Sequence, residues 1–289
     1  MDAVQRLLEI LDLERLEVDL FRGHSPDTHV QRVFGGQVIG QALVAAYRTV
    51  KERNCHSLHA YFLRPGDPHV PIIYQVERMR DGRSFTTRRV AAIQHGKQIF
   101  ALTANFQIEE EGFTHQIKMP DVPGPDEMPI TWCNVPDILA SRGMTLSGDL
   151  KEFLATKSVE FRLPDIVVDE PKPHENYVWF KAVKPLEVDP IVHQCVLAYA
   201  SDMTLLDSSV RPHGVSWAAR TVQMASLDHA MWFHAPVKAD EWLLYVKDSP
   251  FSGGARGFTR GNIFDQSGTL VASVTQEGLI RPQKVEDKA

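Results

Sequence analysis

The stretch Leu270-Val271-Ala272-Ser273-Val274-Thr275-Gln276-Glu277-Gly278 reads as a β-strand with one polar residue on its apolar face. Strand side chains alternate between two faces of a sheet, so the even-numbered residues of this stretch share one face. An earlier stretch has the same alternation, and its apolar face holds Phe100, Leu102, Ala104, Phe106 and Ile108. Aligning Gly96 with Gly268 places Ala104 opposite Gln276. Because a buried amide without hydrogen-bond partners costs about 1–3 kcal/mol, the later stretch is predicted to hold a polar site.

The elements around these two strands recur in the same order along the chain. After a short amphipathic helix over 4–13, a helix is predicted over 37–50 and strands over 57–64, 71–80, 84–95 and 98–109. Strands over 157–162 and 176–184 then precede a helix over 191–207 and strands over 224–234, 241–249, 256–265 and 269–280. The repeat offset of roughly 170 residues is far longer than a solenoid period and indicates a duplicated domain.

The predicted division is an N-terminal domain over 1–118, a linker over 119–155 and a C-terminal domain over 156–289. The linker begins with a proline-rich stretch, which is typical of a connection between domains. A motif that starts at His59 and ends at Pro65 is echoed from His229 to Pro236 with one inserted residue. Two unrelated antiparallel meanders with coincidental motifs are the alternative to duplication.

Bulk composition excludes several classes of protein. The chain has 289 residues, of which 43% are hydrophobic and 24% are charged, and its formal net charge is −6. Such a balance is ordinary for a globular protein and favours neither nucleic acid nor anionic membranes as partners. The first residues do not resemble a signal peptide, and no apolar run approaches the roughly 20 residues of a membrane span.

The three cysteines, Cys55, Cys133 and Cys195, are far apart and odd in number. This spacing supports neither a disulfide framework nor a zinc site. A reducing cytoplasm is therefore the expected compartment.

Three polar residues of the second repeat stand out. In the helix predicted over 191–207, the apolar stripe is formed by Val192, Cys195, Val196, Tyr199, Met203 and Leu206. Asp202 falls at the edge of this stripe, where a carboxylate is costly unless it is paired. A partly solvated carboxylate beside Ser201 is the simpler reading of Asp202, and Ser226 by itself is an ordinary residue before a strand. The occurrence of both with Gln276 in one repeat is more informative than each alone.

Four strings carry a resemblance to a known family: Arg32-Val33-Phe34-Gly35-Gly36-Gln37-Val38-Ile39-Gly40-Gln41-Ala42, Ser57-Leu58-His59-Ala60-Tyr61-Phe62-Leu63-Arg64-Pro65-Gly66-Asp67, Leu197-Ala198-Tyr199-Ala200-Ser201-Asp202 and Asp228-His229-Ala230-Met231-Trp232-Phe233-His234. Over nearly its whole length the chain resembles the acyl-CoA thioesterase II family. The resemblance implies an α+β double hotdog fold, in which two antiparallel sheets are each wrapped around a long helix. It also implies that Asp202, Ser226 and Gln276 are catalytic, although Ser226 replaces the threonine that is usual there.

The resemblance implies hydrolysis of fatty acyl-CoA to free fatty acid and CoA by direct attack of a water. Asp202 would take the proton of this water, while Ser226 and Gln276 would hold it by hydrogen bonds. No metal or other cofactor is implied, and assembly into a homo-oligomer is expected. A hotdog hydratase or dehydratase acting on acyl thioesters, and a non-catalytic acyl-CoA binding protein, are the alternatives.

Other polar features are interpreted as structural. His59 and His229 receive structural roles, and alternation along the strand places His229 on the face opposite Ser226. Close packing is favoured over ligand binding at Gly35-Gly36. A solvated strand face is favoured over contact with CoA for the arginine cluster Arg78, Arg80, Arg83, Arg88 and Arg89.

Overall fold

The computed structural model describes residues 3–26, 31–143, 146, 158–166, 170–215 and 221–283. Four α-helices are described: α1 (Ala3–Leu11), α2 (Gly35–Tyr47), α3 (Val135–Ser141) and α4 (Pro190–Ser201). The strands of the first half are β1 (Glu14–Glu17), β2 (Leu20–Gly23), β3 (Asn54–Phe62), β4 (Ile72–Asp81), β5 (Phe85–Gln94) and β6 (Lys97–Gln107). The later strands are β7 (Ile130–Thr131), β8 (Val159–Leu163), β9 (Asn176–Ala182), β10 (Val222–Ser226), β11 (Asp228–Phe233), β12 (Leu243–Gly253), β13 (Arg256–Asp265) and β14 (Leu270–Pro282).

The strand order shows the duplication directly. In the first half the neighbours run β2-β4-β5-β6-β3, and in the second half they run β11-β14-β13-β12-β9. The second order is the mirror image of the first, and the antiparallel pair β3–β11 joins the two halves into one sheet. In the first half, α2 packs against strands β2 to β6. In the second half, α4 packs against α2 and contacts β11 and β12 through Ser201. The α+β double hotdog expected from the sequence is confirmed.

Helix α2 is central because its sequence contains only small and apolar residues and two glutamines. Eleven of its thirteen residues are buried, so it has no solvent-facing side. A helix that is surrounded in this way belongs to the core of its domain. Gln41 is fully buried there, and its amide donates to the carbonyl oxygens of Ile10 and His24 and accepts from the Tyr74 hydroxyl.

Helices α2 and α4 pack side by side in opposite directions. A Cβ atom on Gly36 would lie 2.2 Å from the carbonyl oxygen of Tyr199, and one on Gly40 would lie 3.3 Å from that of Cys195. Only glycine permits so close an approach at Gly36, which confirms the close-packing interpretation for this residue. The packing brings the start of α2 beside the end of α4.

Several predicted elements differ from those observed. The helix predicted over 191–207 ends at Ser201, because the chain turns at Thr204, where φ is +67°. The strand predicted over 224–234 is divided at Leu227 into β10 and β11. The short elements β1, β2, β7 and α3 were not predicted, since four residues or fewer carry little periodicity and α3 spans only seven.

The proline-rich stretch packs on the outer face of the C-terminal sheet. Met119 and Val122 contact an apolar cluster that includes Trp179, and the Trp179 indole donates to the carbonyl oxygen of Pro123 at 2.9 Å. Within the predicted linker over 119–155, residues 144–145 and 147–155 lie outside the described part of the chain. The division at residues 118 and 156 therefore stays a prediction.

Candidate functional site

Asp202, Ser226 and Gln276 meet where α4 ends. Asp202 is the residue that caps the carboxyl end of α4, Ser226 is the last residue of β10, and Gln276 lies in the middle of β14. The Ser226 hydroxyl donates to Asp202 Oδ1 at 3.3 Å, and Gln276 Nε2 donates to the same oxygen at 3.2 Å. Gln276 Nε2 also donates to Ser226 Oγ. The Gln276 amide, predicted from the alternation of β14 to need polar partners, therefore has them.

The three residues differ in their exposure to solvent. Gln276 is fully buried, whereas Asp202 and Ser226 are both partly exposed. The amide therefore forms the floor of the site, and the carboxylate and hydroxyl form the part that solvent reaches.

Two buried side chains of β12 donate hydrogen bonds to the turn that follows α4. The Tyr245 hydroxyl donates to the carbonyl oxygen of Ser201 at 3.1 Å, and Lys247 Nζ donates to Thr204 Oγ1 and to the Thr204 carbonyl oxygen, both at 2.9 Å. Burial lowers the pKa of Lys247, although Asp202 and Thr204, on the turn itself, are partly exposed. Asp202 lies between these anchored residues, so its backbone is fixed.

A bulge sets the direction of the neighbouring side chains. Ser226 pairs with Gly278 and Ala230 pairs with Thr275, so three residues on the β10–β11 side face two residues of β14. The Asp228 carboxylate accepts the backbone N–H of Glu277 at 2.7 Å and satisfies this group at the irregular point. Because the extra residue shifts the alternation, the prediction that His229 faces away from Ser226 is wrong.

His229 is fully buried and contacts the Gln276 side chain directly. Its Nδ1 lies 3.2 Å from Gln276 Oε1, and its Nε2 lies 2.9 Å from Ser201 Oγ. Burial lowers the pKa of His229, although the charge of Asp202 acts in the opposite direction. Sequence reasoning missed this contact, because alternation without a bulge points His229 away. His59 is exposed and packs its ring against Trp232, with the ring centroids 5.3 Å apart.

The first half also contributes to the site. A Cβ atom on Gly35 would lie 2.7 Å from Asp202 Oδ2 and 3.0 Å from the ring of Phe62. The amino end of α2 therefore lies against the carboxylate, and the partial positive charge at a helix amino end favours a negative group there. The three predicted residues come from the second repeat, but their surroundings come from both.

The three equivalent residues of the first half are apolar. One-residue bulges between Cys55 and Ser57 and before Ala104 match those of the second half, so the registers equate Cys55 with Ser226, Leu58 with His229 and Ala104 with Gln276. Arg88, opposite Ala104, is only 1% exposed and donates to Thr49, Asp81 and the Arg80 carbonyl oxygen. The prediction of a solvated face is wrong for Arg88, because this position faces inward.

A carboxylate, a hydroxyl and an amide directed at one partly exposed point can hold a water by donating and accepting hydrogen bonds. Across the described ranges, no group of three or more His, Cys, Asp or Glu side chains is placed to hold a metal ion. None of the described helices has the length and apolar character needed to cross a membrane.

Comparisons with known families agree with the duplicated architecture. A family model described as acyl-CoA thioesterase matches residues 162–279, and one described as the acyl-CoA thioesterase N-terminal domain matches residues 24–107. Acyl-CoA thioesterase 2 of Haemophilus influenzae is 41% identical over 97% of this chain and 98% of its own. Human acyl-coenzyme A thioesterase 8 is 40% identical over 96% of this chain and 90% of its own.

Solved structures give the same result. An acyl-CoA thioesterase II from Mycobacterium marinum has a TM-score of 0.78 and 44% identity, covering 96% of this chain and 99% of that one. A protein of unknown function with a hot dog fold from Alicyclobacillus acidocaldarius has a TM-score of 0.77 at 21% identity, covering 96% and 98%. The second likeness concerns the fold alone.

Proposed function

Since the chain belongs to the acyl-CoA thioesterase II family and is a thioester hydrolase, we propose that it hydrolyses fatty acyl-CoA by direct attack of a water held by Asp202, Ser226 and Gln276. The observation that supports this assignment most is the contact of Asp202 Oδ1 with both Ser226 Oγ and Gln276 Nε2, at 3.3 and 3.2 Å. The carboxylate, the hydroxyl and the amide come from separate parts of the chain and meet at one partly exposed point.

The chemistry follows from the types of group present. Asp202 accepts a proton from the bound water as the water oxygen adds to the thioester carbonyl carbon. The hydroxyl of Ser226 and the amide of Gln276 hold this water, which turns a chance encounter into a positioned attack. The carbon–sulfur bond then breaks, and the CoA thiolate takes the proton from Asp202. Because a thiol with a pKa of about 8.5 is a good leaving group, the step needs no strong general acid.

Two other mechanisms would use the groups of this site differently. A covalent acyl-serine at Ser226 would need Asp202, to which the Ser226 hydroxyl donates, as its base, since His229 contacts only the far side of the Gln276 amide. Hydration of an unsaturated acyl thioester needs general acid–base groups that face the substrate, typically a histidine with an acidic partner. His229 is fully buried behind Gln276, so it does not face the partly exposed point.

The test is a thiol-release assay with palmitoyl-CoA on the wild-type protein and on Gln276→Ala. Stoichiometric release of free CoA and free acid, strongly reduced in the variant, is expected. The same assay with a 2,3-unsaturated acyl-CoA tests the alternatives. A hydrated thioester without thiol release supports a hydratase, and binding of either substrate without any product supports a binding protein. Rapid quench of a single turnover, with mass spectrometry of the intact protein, tests for a covalent intermediate, and an acyl adduct on Ser226 contradicts direct attack.

We further propose that the protein acts in the cytoplasm and assembles as a homo-oligomer. We also propose that its N-terminal domain ends at residue 118 and its C-terminal domain begins at residue 156. Sedimentation velocity measures the assembly state. A wild-type protein that sediments as one chain at all concentrations contradicts the proposed homo-oligomer.

A further inference from the structure

We infer that His229 is a positioning residue that fixes the orientation of the Gln276 amide and, through it, the water site. This inference rests on the function proposed above and concerns a side chain that does not reach the reacting atoms. A chain of hydrogen bonds begins at Ser201 and ends at Asp202, the next residue of the sequence, and carries this inference.

The amide of Gln276 has two orientations that differ by exchange of its oxygen and nitrogen. With Nε2 directed at the site, it donates to Asp202 Oδ1 at 3.2 Å and to Ser226 Oγ. The exchanged amide would place Oε1 against the Asp202 carboxylate, and two acceptors at this distance repel each other. The carboxylate therefore favours the first orientation from one side.

His229 favours the same orientation from the other side. Its Nδ1 lies 3.2 Å from Gln276 Oε1, so Nδ1 must carry the proton for a hydrogen bond to form. A neutral ring then has its lone pair on Nε2, which lies 2.9 Å from Ser201 Oγ. With this tautomer the one hydroxyl hydrogen of Ser201 points to Nε2, and not to the carbonyl oxygen of Ala198, which also lies 2.9 Å away. A fully buried imidazole in this setting stays neutral, since burial opposes its charged form.

The resulting chain has a single direction. The Ser201 hydroxyl donates to His229, His229 donates to Gln276, Gln276 donates to Ser226 and Asp202, and Ser226 donates to Asp202. Each donor points toward the carboxylate, so the bonds reinforce one another. Without His229 the Gln276 oxygen loses its partner, and the amide is free to rotate away from the site.

The first half supplies the substitution that tests this role. Leu58 occupies the position equivalent to His229 and is fully buried opposite Ala104, so a leucine fits this place in the fold. His229→Leu removes the donor, whereas His229→Asn keeps an amide N–H close to the position of Nδ1. The matched pair separates the loss of the hydrogen bond from the loss of the ring.

The experiment is a double-mutant cycle with palmitoyl-CoA. His229→Leu is expected to lower kcat about 100-fold with KM nearly unchanged, because misplacing a positioned group costs about that much. His229→Asn should restore most of this loss, and His229→Leu should change kcat less than about twofold in a Gln276→Ala background. Equal losses in both backgrounds, or an asparagine no better than leucine, would overturn the inference.

A second measurement does not depend on the reaction. The ¹⁵N spectrum of histidine-labelled protein, with the His229 signals assigned by their absence in His229→Leu, should show a neutral ring protonated at Nδ1. A ring protonated at Nε2 contradicts the inference whatever the activities. Undiminished turnover by Gln276→Ala, with the expected spectrum, instead contradicts the proposed water site and leaves the hydrogen-bond chain in place.

Discussion

Gly35, the first residue of α2, lies directly against Asp202, the residue that caps the carboxyl end of α4. A Cβ atom on Gly35 would be 2.7 Å from Asp202 Oδ2. One carboxylate oxygen therefore faces the amino end of a helix from the first repeat, while Oδ1 accepts from Ser226 and Gln276 of the second. The position of the carboxylate thus depends on the packing of the two halves.

Gly35→Ala should lower kcat without unfolding the protein. The added methyl displaces the Asp202 carboxylate, and a small displacement of a reacting group costs about 10–100-fold. Alanine favours a helix over glycine by up to about 1 kcal/mol, so stability should not fall sharply. Steady-state kinetics and thermal unfolding measure both effects. Gly112→Ala is the control, because a Cβ atom there meets nothing within 4 Å. Full activity of Gly35→Ala would show that Asp202 tolerates displacement.

Asp202→Asn should nearly abolish turnover and leave the fold and acyl-CoA binding intact. Asparagine has the same shape but does not accept the proton of a water, and a positioned base contributes about 10²–10⁴-fold. The measurements are single-turnover hydrolysis and binding of a non-hydrolysable acyl-CoA analogue. Asp189→Asn is the matched control at the other end of α4, where the side chain caps the helix by accepting from Ile191 and asparagine caps equally well. Undiminished turnover would refute Asp202 as the base.

Ser226→Thr should be tolerated, whereas Ser226→Ala should lower kcat about tenfold or more by removing a hydrogen bond. Threonine keeps the hydroxyl that contacts Asp202 and Gln276, and its methyl restricts the rotamer. Kinetics of the two variants at matched protein concentration provide the comparison. A severe loss with threonine would mean that the space beside Ser226 is too narrow for a methyl group.

The sequence predicted the repeated elements because long strands and helices carry a clear periodicity. The strand over 256–265 was predicted with the bounds observed for β13, and the alignment of Ala104 with Gln276 agrees with the registers of β6 and β14. That alignment succeeds because both hairpins place a bulge five residues before these positions, at Ile99 and Val271.

Local periodicity did not predict the bulge at Leu227 or the contact of His229 with Gln276. The echo of the motif at His59 by that at His229 suggests that these histidines are equivalent, but the registers equate His229 with Leu58. A bulge is set by pairing between strands, which a single strand does not record. The approach of Gly35 to Asp202 could not be predicted from local sequence either, since it arises from packing between residues 167 positions apart.

Acidification should destabilise the wild-type protein more than His229→Leu. Burial lowers the pKa of His229 below its ordinary value of 6.5, so the unfolded chain takes up a proton as the pH falls through 6.5 while the folded chain does not. The stability present above that pH is therefore lost below it. Urea unfolding of both proteins from about pH 7.5 to about pH 5.5 should show their free energies of unfolding converging or crossing. Parallel curves would mean that the ring takes up its proton at the same pH in the folded protein as in the unfolded chain.

Arg88→Met should lower the free energy of unfolding by about 1–3 kcal/mol while leaving kcat unchanged. The buried guanidinium donates to Thr49 Oγ1 at 2.8 Å and to Asp81 at 2.6 Å, and methionine leaves the Thr49 acceptors without these donors. Asp81 is half-exposed, so water solvates its charge and limits the loss. Urea unfolding measures the change, and Arg89→Met on the exposed side of the same strand should stay within about 0.5 kcal/mol of the wild type. A variant Arg88→Met with lower kcat and unchanged stability would contradict this structural role. Arg88 would then belong to the substrate site and not to the packing of the first half.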